Sequence, residues 1–162
     1  MLRSTSSPLE RLATAIIHSL QEHGVDHTCR TLDNEVRKTQ AKKNPDASFI
    51  IQQVAEQLNI SPREVFAGNG RKNERVFAIG FCAYYLHYIF EYDMEEVQYM
   101  LEKKEIWVCY KYSERIKELN PKNPADIPFI EIKKVLDENL AERIKIRRKY
   151  LKKIKNEKRK RA

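Results

Sequence analysis

Glycine and proline are so sparse in this chain that they mark nearly every place where it can turn. Glycine stands only at Gly24, Gly68, Gly70 and Gly80, and proline only at Pro8, Pro45, Pro62, Pro121, Pro124 and Pro128. Between them lie long runs of Leu, Ile, Ala, Glu and Lys, most of which lose little rotamer freedom in a helix. An all-α protein follows. The 162 residues have room for one domain with an extension, and for a core that needs no staples.

The clearest local grammar is in residues 54–66, which read as a helix, a tight break and a second short helix. Val54, Leu58, Ile60, Val65 and Phe66 can share one core. Ser61 suits an N-cap, Pro62 the first helical position, and Glu64 the far end of a capping box.

Upstream, residues 8–23 form an amphipathic helix on Leu9, Leu12, Ile16, Ile17 and Leu20, and Gly24 stops it. Leu32 and Val36 can mark a further helix, but the polar run 37–44 predicts a loose, exposed connection. Asn44-Pro45 breaks the chain there, so residues 1–43 are expected to be an N-terminal helical extension. Residues 44–121 form the main domain. Within it a basic loop, Gly68-Asn69-Gly70-Arg71-Lys72-Asn73, precedes an aromatic, apolar helix over 74–91 that belongs at the centre. Asp93 caps the next helix with Glu96 at the capping-box position, and a break at 102–105 leads into a helix over 106–119. Residues 122–162 hold the end of a three-proline linker and then one long helix from about Phe129. Ile132, Leu136, Leu140, Ile144, Leu151 and Ile154 stripe that helix, and Arg147 interrupts the stripe.

The net charge of +8 is unevenly distributed. Residues 142–161 hold twelve Lys or Arg against two Glu, while the rest of the chain has nineteen basic and twenty-one acidic side chains. The body is near neutral and the end is a cationic arm, which attracts polyanions. Three scattered cysteines, Cys29, Cys82 and Cys109, give no disulfide framework and point to a reducing, cytoplasmic setting, the last two as small core residues. The first eight residues carry no secretory signal, and the most apolar segment is too short to span a bilayer.

No constellation of catalytic residues stands out, so no enzyme, cofactor or metal is expected. Gly68-Asn69-Gly70 lacks the spacing of a phosphate-binding loop. His23, His27 and Cys29 offer only three ligands across a helix stop. Tyr84, Tyr85, Tyr88 and Tyr92 recur at helical spacing and read as core packing, with a hydroxyl or two reaching the surface.

Residues 50–119 resemble the C-terminal DNA-binding domain of the bacterial replication initiator DnaA, a Trp-repressor-like helical fold with a helix-turn-helix. The resemblance rests on Val54-Ala55-Glu56, Ile60, Val65-Phe66, the basic loop with Arg71 and Lys72, and Leu86 in the long central helix. Residues 97–101 then look like the first helix of the motif, 106–112 like the start of its recognition helix, and 116–119 like its closing apolar pattern. About seventy residues are covered, and none of the initiator's ATPase module. The family signature Gly-Gly-Arg-Asp-His-Thr-Thr-Val is replaced by Glu102-Lys103-Lys104-Glu105-Ile106-Trp107-Val108-Cys109. Ile106, Trp107 and Val108 cannot make the hydrogen bonds of His and Thr. The scaffold is kept and the reading surface rewritten.

The resemblance implies a non-enzymatic double-stranded DNA-binding protein, linked to replication or its regulation. Arg71, Lys72 and Arg75 would contact phosphates. Lys103 and Lys104 would sit at the amino end of the recognition helix, beside Trp107, and Lys111 and Arg115 would extend that face. Arg147, Arg148 and Lys152 of the arm would add sequence-independent affinity. Two other readings stand beside it. One is a protein-interaction module anchored by Ile106 and Trp107, with a homodimer or a partner held there or at the N-terminal helix. The other is an RNA-associated protein held by its basic tail.

Overall fold

The computed structural model describes residues 7–66 and 73–161. Among them are seven helices and no strand. The chain divides into two compact units, Met1–Gln40 and Ala41–Ala162.

The described residues of the first unit are Ser7 and most of α1, Pro8–Lys42, which is two helical limbs meeting at Gly24. Gly24 has φ 79° and ψ 171°, a conformation open to glycine and few other residues. Across this break the Ser19 and Thr28 hydroxyls meet at 2.9 Å, and Thr28 donates to the Gly24 carbonyl at 2.9 Å. The loose connection expected over 37–44 is instead helical as far as Lys42. Lys, Arg and Gln are good helix formers, so the polar run extends the helix rather than ending it. Leu9, Leu12, Ile17, Val25 and Val36 remain exposed, so the unit has little core of its own.

In the second unit, Asn44 caps α2, Pro45–Gln57, by accepting from the amides of Asp46 and Ala47 at 2.9 and 3.1 Å. Such a cap contributes about 1 kcal/mol. The short α3, Pro62–Phe66, follows, its Glu64 carboxylate accepting from the Ser61 amide at 2.8 Å. Val54 and Val65 are fully buried, with Leu58, Ile60 and Phe66 packed around them.

The central element is α4, Asn73–Tyr84, continued by a π-helical turn over Tyr85–Ile89. The Phe90 amide bonds to the Tyr85 carbonyl at 2.9 Å, the five-residue step that defines such a turn. The turn sets Tyr85, Leu86 and Phe90 all facing inward, each with no exposed surface. Ala78, Ile79, Phe81, Cys82 and Ala83 are equally buried, as an element apolar on most sides requires.

Then come α5, Met94–Met100, and α6, Ile106–Lys117. Asp93 and Glu96 form the expected capping box. Past a linker, α7 runs unbroken over Ile127–Arg161, 35 residues or about 50 Å. Its start is fixed by the Asp126 carbonyl, which accepts from the amides of Phe129 and Ile130, each at 3.0 Å. Phe129 stacks on Phe77 with ring centroids 3.4 Å apart. Leu136 and Leu140 are fully buried, each contributing roughly 1.5–3 kcal/mol. No helix among the described residues is long and apolar enough to cross a membrane.

Candidate nucleic-acid interface

The turn between α5 and α6 is held by Gln98. Its side-chain amide donates to the carbonyls of Lys103 and Lys104 at 3.1 and 3.0 Å, and its own carbonyl accepts from the Lys103 amide at 3.0 Å. Glu102 takes φ 52°, the left-handed conformation that lets a helix end and the chain turn back. The turn is therefore defined by the backbone, and the side chains around it divide into two groups.

One group is consumed inside the molecule. Lys103 is only 7% exposed. Its ammonium donates to the carbonyls of Val65 and Phe66 at 2.7 and 3.2 Å, closing the end of α3. Burial pulls its pKa below the ordinary lysine value. The expectation that Lys103 faces a phosphate is corrected, because its donors are spent on buried carbonyls that would otherwise go unpaired. Arg75 pairs with Glu64 at 3.2 Å across α3 and α4. The Ser61 amide, then this guanidinium, hold the Glu64 carboxyl below its usual range.

Arg115 makes two hydrogen bonds to the buried carboxylate of Asp126 and lies 6.0 Å from the Phe77 ring. The Asn120 amide, assisted by Arg115, keeps Asp126 ionised below the ordinary carboxylate range. Arg115 thus ties α6 to the linker, while its side chain remains 41% exposed. Arg147 donates to the Phe90 carbonyl at 3.0 Å and stacks 4.1 Å from the Tyr92 ring. Its place in the apolar stripe is explained: it satisfies a carbonyl left over by the π-helical turn.

The second group faces solvent. Lys104, Trp107 and Lys111 are exposed on the turn and on α6. Trp107 is 52% exposed, its indole N–H donates to the Glu105 carboxylate, and the Lys111 ammonium lies 5.6 Å from its ring. Glu105 occupies the amino end of α6, so a carboxylate already sits where the helix dipole favours negative charge. Arg71 and Lys72 lie outside the described residues.

Among the described residues, α7 carries an extended cationic surface. Arg148, Lys149, Lys152, Lys153, Arg159 and Lys160 are all exposed. Among the described residues, Lys149, Lys152, Lys153 and Lys160 line one shallow trough with Asn156 and Glu157. The helix carrying them is anchored by Leu136, Leu140 and Arg147, and by an exposed pair of Lys155 with Glu91 at 3.0 Å. The arm is an ordered helix continuous with the core, not a loose tail.

Sequence reasoning missed two functional relationships. Asp126 was not singled out, although a lone acid amid linker prolines and asparagines is a capping signal. Nor was the arm's arrangement around its helix, which could have been read from residue spacing alone. No protein-family model, curated protein or solved structure matches this chain.

Proposed function

We propose that this protein binds double-stranded DNA without enzymatic activity, through a DnaA-like helix-turn-helix formed by α5 and α6 and a basic helical arm formed by α7. The observation that carries the reading is the exposed cationic face of α7, held on a helix packed into the core. A pre-ordered row of cations loses little conformational entropy on meeting a polyanion. Lys104, Trp107 and Lys111 at the start of α6 supply the second contact. The family resemblance of residues 50–119 supports a role in replication or its regulation.

The test is duplex binding by the full chain across a range of salt. Changing Arg148, Lys149, Lys152 and Lys153 together to Gln should weaken binding and lower the salt slope by roughly 0.9 for each phosphate contact removed. An unchanged slope and affinity would overturn the reading.

The exposed Trp107 and the uncovered apolar side chains of α1 favour a second reading, a protein-interaction module that forms a homodimer or holds a protein partner. Sedimentation across concentration tests the homodimer, and Trp107→Ala tests the anchor in any partner complex so identified. Equal affinity for RNA and DNA duplexes of the same length would instead favour the RNA-associated reading through the tail.

A further inference from the structure

Helical residues three and four apart share a face. On the last turns of α7 this rule aligns Lys145, Lys149, Lys152 and Asn156 along one line. At about 3.6 residues per turn, that line points away from the side of Leu136, Leu140 and Arg147 that meets the core. Arg148 and Arg159 flank it on one side, and Lys153 and Lys160 on the other. All eight residues are exposed. Lys145 makes an exposed contact with Glu142 at 3.8 Å.

We propose that this face of α7 enters the major groove of B-form DNA, and that Asn156 reads a base edge there. The inference rests on the DNA-binding reading and adds a reading site to it. A helix with its side chains is about 10–12 Å across, and the major groove is about 12 Å wide. A helix seated in that groove turns its centre line to the base edges and its flanks to the two phosphate walls. Here both flanks are cationic, as phosphate walls require. The centre line carries Lys, which donates to guanine O6 and N7, and Asn, which pairs bidentately with adenine N6 and N7.

Asn156 stands out chemically on this face as the uncharged member of the stripe. It contributes no charge to phosphate attraction. Its helix propensity is below that of Lys or Arg. Among the described residues its side chain has no hydrogen-bond partner within the protein. A side chain that weakens the helix and bonds none of the described residues is suited to a partner with paired donor and acceptor groups. The adenine edge is such a partner.

The experiment uses the full chain. Duplexes are selected from a random pool, and affinities of the wild type, Asn156→Ala and Arg148→Gln are compared on the selected site and its single-base variants. Asn156→Ala should cut discrimination at one adenine by roughly 5- to 100-fold and leave the salt slope unchanged. Arg148→Gln, on a flank that faces a phosphate wall, should lower the slope by about one unit. N7-methylguanine within the site should block binding, while a minor-groove ligand should not. Duplex binding with the same base preference in Asn156→Ala overturns the inference and leaves the DNA-binding reading standing. So does equal competition by duplex RNA, whose deep, narrow major groove excludes a helix. Absence of duplex binding by the wild-type chain overturns both. Asn156 is exposed, so its replacement by Ala leaves the fold intact, and circular dichroism verifies this.

Discussion

A β-carbon placed on Gly80 would stand 2.7 Å from the backbone carbonyl oxygen of Tyr112. At that point α4 and α6 approach so closely that the absence of a side chain on one is filled by the backbone of the other. Ile116 closes the same contact from the next turn, 3.0 Å from the same position. Replacing Gly80 with Ala forces the two helices apart, because a carbonyl cannot swing away as a flexible side chain would. The expected cost is about 1–3 kcal/mol. It should appear as a lower urea midpoint at unchanged m-value.

Lys103 and Arg148 are both cations of the expected binding surface, the first buried and the second exposed. Lys103→Met strips two buried carbonyls of their donor and should cost about 1–3 kcal/mol of stability. It should leave the salt slope of duplex binding unchanged. Arg148→Gln should do the reverse. A drop in slope for Lys103→Met would mean that its ammonium reaches a phosphate after all.

Glu102 takes a positive φ in the turn between α5 and α6. A non-glycine residue in that conformation costs about 1–2 kcal/mol. Glycine removes the strain and loses part of the gain to its greater freedom in the unfolded chain. Glu102→Gly should raise stability by roughly 0.5–1 kcal/mol, read as a rise of a few degrees in Tm. A β-branched residue there, such as Val, should lower it.

Stability should fall at alkaline pH. Burial pushes the Cys109 thiol from its ordinary 9.0 to about 11 and raises Cys82 further. The hydrogen bond to Glu114, helped by burial, pushes Tyr88 from 10.0 to about 12, and burial raises Tyr85 and Tyr92. These groups keep protons in the folded state that the unfolded chain releases. Their contribution is therefore complete below pH 9 and is lost as pH climbs through the folded values. Lys103 runs the other way, since its folded value is lowered and its penalty fades as pH rises toward 10.5. One such group does not offset five. The denaturation midpoint should hold steady to about pH 9 and then decline. The double variant Cys82→Ala, Cys109→Ala should move the onset toward the tyrosine range near 10.

What the sequence disclosed was local. Asn44-Pro45 and the Asp93–Glu96 box are visible because cap and capped amide lie within three residues of each other. The buried character of the central helix is visible because apolar residues recur on most of its sides. The intramolecular roles of Lys103, Arg115 and Arg147 are hidden from the sequence for one shared physical reason. Their partners are the carbonyls of Val65, Phe66 and Phe90 and the carboxylate of Asp126. Which carbonyl is left over at a helix end is decided by how the helices pack, and no spacing rule encodes it. Arg147 left a trace as an interruption in an apolar stripe. Lys103 left none, because a lysine in a charged turn looks the same whether it faces water or a carbonyl. The exposure of Trp107 was equally hidden, since a tryptophan on a helix can face in or out with the same neighbours in sequence.

Because α7 is one uninterrupted helix, Leu136 and Leu140 set more than its anchorage. They set its angular phase. The compass bearing of Lys152 and Asn156 is decided twelve to twenty residues earlier, by which side of the helix is pinned to the core. One residue inserted near Ala141 would swing every downstream side chain by about 100°, whereas four would return it close to its original heading. The chain thus transmits orientation along its axis as a shaft transmits rotation, and the core and the cationic face are set at a fixed angle to each other.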